Sequence, residues 1–174
     1  MQVLSFLAKR RAMGREMCYS IKKARRRAVR TKKGRAFGTA PKEEKNMLEA
    51  GICGRAEVAV TAENTARAMG SGTLEVFATP ALAALAERTC WQSVAPELEP
   101  GSGTVGAKLS LEHTAPTPVG MHVTCESELI AVEGRKLTFT VAMRDEKGPV
   151  GQGVHERVII NDARFLAKAE AKRG

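Results

Sequence analysis

From residue 55 onward the chain alternates apolar and polar positions in short runs. Ala56, Val58 and Val60 alternate with Glu57, Ala59 and Thr61, the period-two pattern of a half-buried strand. Thr61-Ala62-Glu63-Asn64-Thr65 reads as a polar turn and Gly70-Ser71-Gly72 as a loop. Thr79-Pro80 then opens the strongest helix signal in the chain, because Thr is a favoured N-cap and Pro is favoured at the first helical position. The segment Ala81-Leu82-Ala83-Ala84-Leu85-Ala86 is small and apolar on all sides, which predicts a buried helix rather than a surface one. The helix is expected to run through Trp91 and to stop before Pro96.

Four more strands follow a loop at Pro100-Gly101-Ser102-Gly103. In the first, Val105, Ala107, Leu109, Leu111 and His113 share one parity against Gly106, Lys108, Ser110 and Glu112. Pro116-Thr117-Pro118-Val119-Gly120 makes a turn, and Met121, Val123, Cys125, Ser127 and Leu129 carry the next strand. Glu133-Gly134-Arg135 signals a tight hairpin. Leu137, Phe139, Val141 and Met143 alternate with polar partners in the third strand. Asp145-Glu146-Lys147-Gly148 turns the chain into a last strand near Val150 to Ile160, and a short basic helix is expected from about Asp162. A strand, a buried helix and four antiparallel meander strands make a two-layer α+β domain, one sheet face covering one helix.

Charge divides the chain in two. Residues 1–46 hold 15 of the 28 Lys and Arg but 3 of the 19 Asp and Glu, leaving +12 on this arm against −3 on residues 47–174. The run around Lys22-Lys23-Ala24-Arg25-Arg26-Arg27 has too few apolar residues to offset its ordering entropy. A basic, disordered extension over 1–46 and a folded domain over 47–174 are therefore expected. The arm is open to three readings: a segment binding nucleic acid or anionic lipid, an Arg-rich transit peptide, or an upstream extension of a chain whose native start is Met47. The sharp change in composition at Met47 favours the third.

No apolar run approaches the ~18 residues that a membrane span needs, so no membrane partner is expected. Nucleic acid is not expected as a partner except through the arm, since aromatics make up 4% of the chain and base-stacking platforms are correspondingly scarce. The cysteines at 18, 53, 90 and 125 form no C-x-x-C pair, and no His/Cys cluster has zinc-ligand spacing. Such sparse cysteines fit reduced thiols and a cytoplasmic protein, and Cys125 sits on an apolar strand parity that places it in the core.

Three polar residues stand where the pattern calls for apolar ones. Glu87 falls in the middle of the buried helix, where an unpaired carboxylate costs several kcal/mol, so it is expected to be paired or to face a cavity; the alternatives are a wet stripe or a pairing with Arg88. His113 ends an apolar parity, where a lone histidine is more often a satisfied rim residue than a catalyst. Thr79 taken alone is a helix cap.

Together these residues lie within a longer pattern. Val76-Phe77-Ala78-Thr79 with Glu87 eight positions on, Leu98 through Gly106, His113 through Gly120, Val132-Glu133-Gly134-Arg135 and Gly153-Val154-His155-Glu156-Arg157 occur in one order and spacing. Over residues 74–166 this resembles the fluoroacetyl-coenzyme A thioesterase-like family of hotdog-fold acyl-coenzyme A thioesterases. The resemblance implies an antiparallel sheet wrapped around a long central helix, and hydrolysis of a short-chain acyl-coenzyme A to free acid and coenzyme A. It implies no metal and no redox cofactor, coenzyme A being part of the substrate, and a homodimer with sites at the subunit interface. It puts the catalytic triad on Thr79, Glu87 and His113, and substrate contacts on Gly106 and Arg157. The lidding phenylalanine of the specialised family falls on Thr73, which removes the ground for expecting fluoroacetyl selectivity.

The roles suit the residue types. His113 can act as base and later protonate the leaving thiolate. Glu87 can activate water or attack the carbonyl itself. Thr79 offers a hydroxyl at a helix N-terminus, where backbone N–H groups favour an oxyanion. Gly106 lets the chain approach the acyl group closely. Arg157 holds a coenzyme A phosphate or an interface carboxylate, or is a solvated strand charge. The competing reading of the whole domain is a non-catalytic hotdog module that binds acyl-coenzyme A or a related acyl ligand.

Overall fold

The computed structural model describes residues 48–174; the basic arm expected over 1–46, and any role for it, lies outside the described residues. The described residues form one compact unit. Its elements are β1 (Cys53–Ala59), α1 (Thr79–Val94), β2 (Ser102–His113), β3 (His122–Glu133), β4 (Lys136–Arg144), β5 (Pro149–Asn161) and α2 (Asp162–Glu170). The five strands form one antiparallel sheet in the order β1-β3-β4-β5-β2.

That order corrects the expected meander. β3, β4 and β5 do follow one another through tight turns, but β2 pairs with β5 and β1 with β3. The Pro116–Gly120 turn is therefore a crossing from one edge of the sheet to a strand beside the other. Along it, Phe77 N donates to Thr117 O and Gly120 N to Val60 O, so the connection is tied to the end of β1 and to the residues that lead into α1.

Residues directly opposite in an antiparallel ladder share a face. Leu109, His155, Phe139 and Leu129 form one such row, and Leu111, Gly153, Val141 and Ser127 another. This is the face that α1 covers with Leu82, Leu85, Ala86, Thr89, Cys90 and Val94. Phe139, Leu129, Leu82 and Val94 are fully buried there, each worth about 1.5–3 kcal/mol of transfer free energy. Glycines set how closely helix and sheet approach: a Cβ on Gly54 would lie 2.6 Å from the Thr89 carbonyl, and one on Gly151 would lie 3.1 Å from Leu82 Cδ2. Cys125 is in this core, as its parity predicts, and is fully buried.

A β-bulge interrupts β2. Gly106 pairs with Arg157 and Lys108 with the next residue back, Glu156, so Ala107 is the extra residue. Strict alternation from His113 would place Ala107 on the helix side. The bulge turns Gly106 there instead, in one row with Arg157 and Leu137.

Candidate active site

Thr79 is the first residue of α1, and its hydroxyl is not spent on capping. Ala78 occupies the N-cap position and makes no side-chain cap; Pro80 stands one place later than expected, still within the first turn, where a missing N–H costs nothing. Thr79 Oγ1 lies instead 2.9 Å from His113 Nδ1. His113 is the last residue of β2. Its other ring nitrogen, Nε2, is buried without a hydrogen-bond partner. Both side chains line a cleft of about 270 Å³ whose remaining wall is largely apolar, with Ala66, Val76, Phe77, Ala115 and Pro116. Thr73 is exposed and is not part of that wall; its carbonyl accepts from Arg67 Nε at 3.1 Å.

Glu87, Gly106 and Arg157 form a second group. The helix is not buried on all sides as expected: Ala84, Glu87 and Trp91 are exposed on one stripe, and Trp91 retains 43% of its surface. Glu87 is therefore on the open face of α1. Arg88, the alternative partner considered for it, donates to the Glu57 carbonyl of β1. A Cβ on Gly106 would stand 3.1 Å from Glu87 Oε1 and 3.2 Å from His155 Cε1. The missing side chain thus leaves a niche bounded by a carboxylate and an imidazole.

Arg157 lies behind that niche and is only 5% exposed. Its Nε donates to Thr104 Oγ1 at 2.8 Å and its Nη2 to Thr104 O at 2.7 Å, while Nη1 is 2.9 Å from His155 Nε2. Burial pushes the guanidinium below its ordinary value, and the Glu87 carboxylate pulls it back. So walled in, the Arg157 guanidinium lies beneath the niche rather than in solvent. The solvated-charge reading of Arg157 is likewise excluded by its burial.

Eight residues of helix separate Thr79 from Glu87, a rise of roughly 12 Å. The structure brings Thr79 to His113, and Glu87 to Gly106 and Arg157, as two groups. His155 is the site residue that sequence reading passed over. It stands in the quoted Gly153-to-Arg157 segment two places from Arg157, hence on the same strand face, and that parity was the available signal. The free thiols of Cys90 and Cys125 add no nucleophile: burial pushes them up to about 12 and about 11, so neither ionises at neutral pH.

Comparison with known proteins converges on one family. Residues 60–163 match the profile of the family described as fluoroacetyl-CoA-specific thioesterase. The fluoroacetyl-CoA thioesterase of Streptantibioticus cattleyicolor is 44% identical over 98 residues, spanning 56% of this chain and 70% of that protein. Among solved structures, a threonine-to-serine variant of the fluoroacetyl-CoA thioesterase in complex with acetyl-CoA superposes with a TM-score of 0.70 at 34% identity, over 73% of this chain and 100% of the other. A thioesterase superfamily member from Thermus thermophilus gives a TM-score of 0.65 at 27% identity, over 70% and 90% of the two chains. The fold is the hotdog fold, and the chain belongs to the fluoroacetyl-CoA-specific thioesterase family.

Proposed function

We propose that this thioester hydrolase acts on short-chain acyl-coenzyme A as a homodimer, each active site combining Thr79 and His113 of one subunit with Glu87, Gly106 and Arg157 of the other. The observation that carries the reading is the 2.9 Å contact between Thr79 Oγ1 and His113 Nδ1 on the wall of a small cleft. A hydroxyl and an imidazole within hydrogen-bond reach are the pairing that acyl transfer uses to move a proton. Membership of a thioesterase family supports the same chemistry.

Two features support the dimer. The stripe of α1 carrying Ala84, Glu87 and Trp91 is open, and β2 is an edge strand, a surface that soluble proteins usually cover. Thr79 and Glu87 stand roughly 12 Å of helical rise apart, and Glu87 is grouped with Gly106 rather than with Thr79 and His113. A two-fold axis brings each group to its complement on the other subunit and creates two equal sites.

In the reaction the acyl carbon gains an oxygen from water and loses the coenzyme A sulfur. Glu87 activates the water, or forms a transient anhydride that water then opens. His113, its ring oriented by Thr79, manages the proton that finally reaches the thiolate. Donors at the start of α1 hold the charge that develops on the carbonyl oxygen. These steps call on no metal or redox cofactor. No helix among the described residues is long and apolar enough to cross a membrane, and with a soluble thioester as substrate the proposed site of action is the cytoplasm.

The test is release of free thiol from a panel of acyl-coenzyme A esters graded by chain length. Turnover concentrated among the shortest acyl groups is expected. Binding of the esters without turnover of any would favour the non-catalytic module.

A further inference from the structure

His155 is fully buried on the helix side of β5, between Leu109 of β2 and Phe139 of β4. Both of its ring nitrogens are engaged inside the domain. Nδ1 lies 2.9 Å from the Lys108 carbonyl and Nε2 lies 2.9 Å from Arg157 Nη1. A carbonyl can only accept and a guanidinium can only donate. The proton is therefore on Nδ1, Nε2 accepts from Arg157, and the ring is neutral. A second proton would have to enter between Nε2 and the arginine cation.

Both partners bear on Glu87. Lys108 directly follows the bulged residue Ala107, and the bulge is what turns Gly106 toward the Glu87 carboxylate. Arg157 is the buried cation whose charge interacts with Glu87. Thr104 holds Arg157 from the other side with two bonds. His155 is thus the link between the strand irregularity that opens the niche and the charge that lies behind it.

We propose that His155 is a positioning residue, which as a neutral Nδ1–H imidazole holds the Lys108 carbonyl and the Arg157 guanidinium in one frame and so fixes the niche in which Glu87 acts. The inference rests on the reading of Glu87 as a catalytic group. The charged groups facing the ring are Arg157 and, across the niche, Glu87. Burial first, and Arg157 after it, lower the tendency of His155 to take up a proton, against the opposing pull of the Lys108 carbonyl and of Glu87.

His155→Leu removes both bonds. His155→Gln puts an amide oxygen where Nε2 accepts from Arg157. If the role is positioning, His155→Leu lowers kcat by about 10²-fold with KM within about threefold, as misplacement near the reacting groups does. His155→Gln, assayed on the same esters, recovers most of that loss. Should His155→Leu fail to fold, His155→Gln and the wild-type protein still decide the matter by ¹⁵N NMR of the imidazole. His155, identified as the signal lost in His155→Gln, is expected to be neutral with its proton on Nδ1 at pH 6, where a free imidazole of pKa about 6.5 is mostly charged. A charged ring or the Nε2–H tautomer at that pH overturns the proposal, as does a folded His155→Leu with wild-type kcat. Glu87→Gln, run in parallel, separates the two layers. If it loses activity while His155→Leu does not, only the positioning role falls; if Glu87→Gln is fully active, the role of Glu87 and the inference built on it fall together.

Discussion

Thr79 Oγ1 and His113 Nδ1 stand 2.9 Å apart across the junction of α1 and β2, thirty-four residues apart in sequence. Thr79 is the first helical residue and Ala78 the N-cap, so the threonine hydroxyl is not needed as a cap and is free for this contact. Its loss should therefore appear in the kinetics rather than in the melting temperature. Thr79→Ser is expected to keep most of the activity and Thr79→Val to lose it, while His113→Ala lowers kcat by roughly 10²-fold or more. In thermal melts Thr79→Val should cost well under the ~1 kcal/mol of a lost N-cap. A Thr79→Val protein that is as active as wild type but clearly less stable would return Thr79 to a capping role.

Gly106 gives a prediction of the opposite kind, a group added rather than removed. Gly106→Ala places a methyl 3.1 Å from Glu87 Oε1 and 3.2 Å from His155 Cε1. The carboxylate is the free end of an exposed side chain and can swing aside, so the fold should survive. Displaced Glu87 should cost at least about 10-fold in kcat/KM, since even small misplacement of a reacting group is expensive. Steady-state kinetics on the best ester, with a melt as control, checks this; unchanged kcat/KM would mean that the niche is not used.

How much of this was legible in the sequence depended on the kind of interaction. The alternation in β3 and β4 and the Thr79-Pro80 helix start were local signals, and they mark the observed elements to within a few residues. The pairing of β2 with β5 was not legible, because strand neighbours are chosen by the closure of the whole sheet and leave no local trace. The Ala107 bulge was hidden for a related reason: parity counting assumes no inserted residue, and so put Gly106 on the wrong face. Glu87 was expected in a closed helix interior because Ala81 to Ala86 have no polar face of their own; small residues fit a buried helix and a helix face awaiting a second surface equally well. Thr79, Glu87 and His113 stood out as polar residues at apolar positions and were joined as a triad by the family pattern; the structure groups Thr79 with His113 and Glu87 with Gly106. His155 carried a usable signal, polar parity with Arg157 in a strand whose exposed side bears Val154, but a histidine in a strand does not announce two internal bonds.

Asp145 ties the β4–β5 turn that feeds His155 and Arg157 into the sheet. Its carboxylate accepts from Lys147 N at 2.8 Å, Gly148 N at 3.0 Å and Thr117 Oγ1 at 3.0 Å. Burial pushes the carboxyl up, and these bonds more than offset it, leaving the group below its ordinary value of 3.8. The unfolded chain therefore takes up this proton first as pH falls. The stabilisation is present above about 3.8 and is lost as pH drops through the lower folded value. Asp145→Asn should cost about 1 kcal/mol at pH 7 and should lose less stability than wild type on acidification below pH 4. Denaturation midpoints that run parallel for the two proteins down to pH 2 would contradict this.

Thr73 bears on selectivity. It is exposed and stands outside the cleft wall, so nothing at this position closes the cleft against water. Separating a fluorinated from an unfluorinated acetyl group requires a tight, dry contact, since a small apolar difference is worth only ~1–3 kcal/mol. The expected ratio of kcat/KM for fluoroacetyl- over acetyl-coenzyme A is at most about 10²-fold. A ratio of many thousandfold would show that another side chain, such as the buried Phe77 of the wall, does the sealing.

In the proposed dimer each site draws Thr79 and His113 from one subunit and Glu87 from the other, and subunit mixing distinguishes this from a site within one chain. His113→Ala and Glu87→Gln homodimers are each expected to be nearly inactive. Unfolded together in equal amounts and refolded, they should yield mixed dimers in which one site carries both substitutions and the other carries neither. With half the dimers mixed and one intact site in each, activity should return to about one quarter of the wild-type level. If the refolded mixture forms mixed dimers by mass yet stays as inactive as its parents, each site is built within a single chain and the account is wrong.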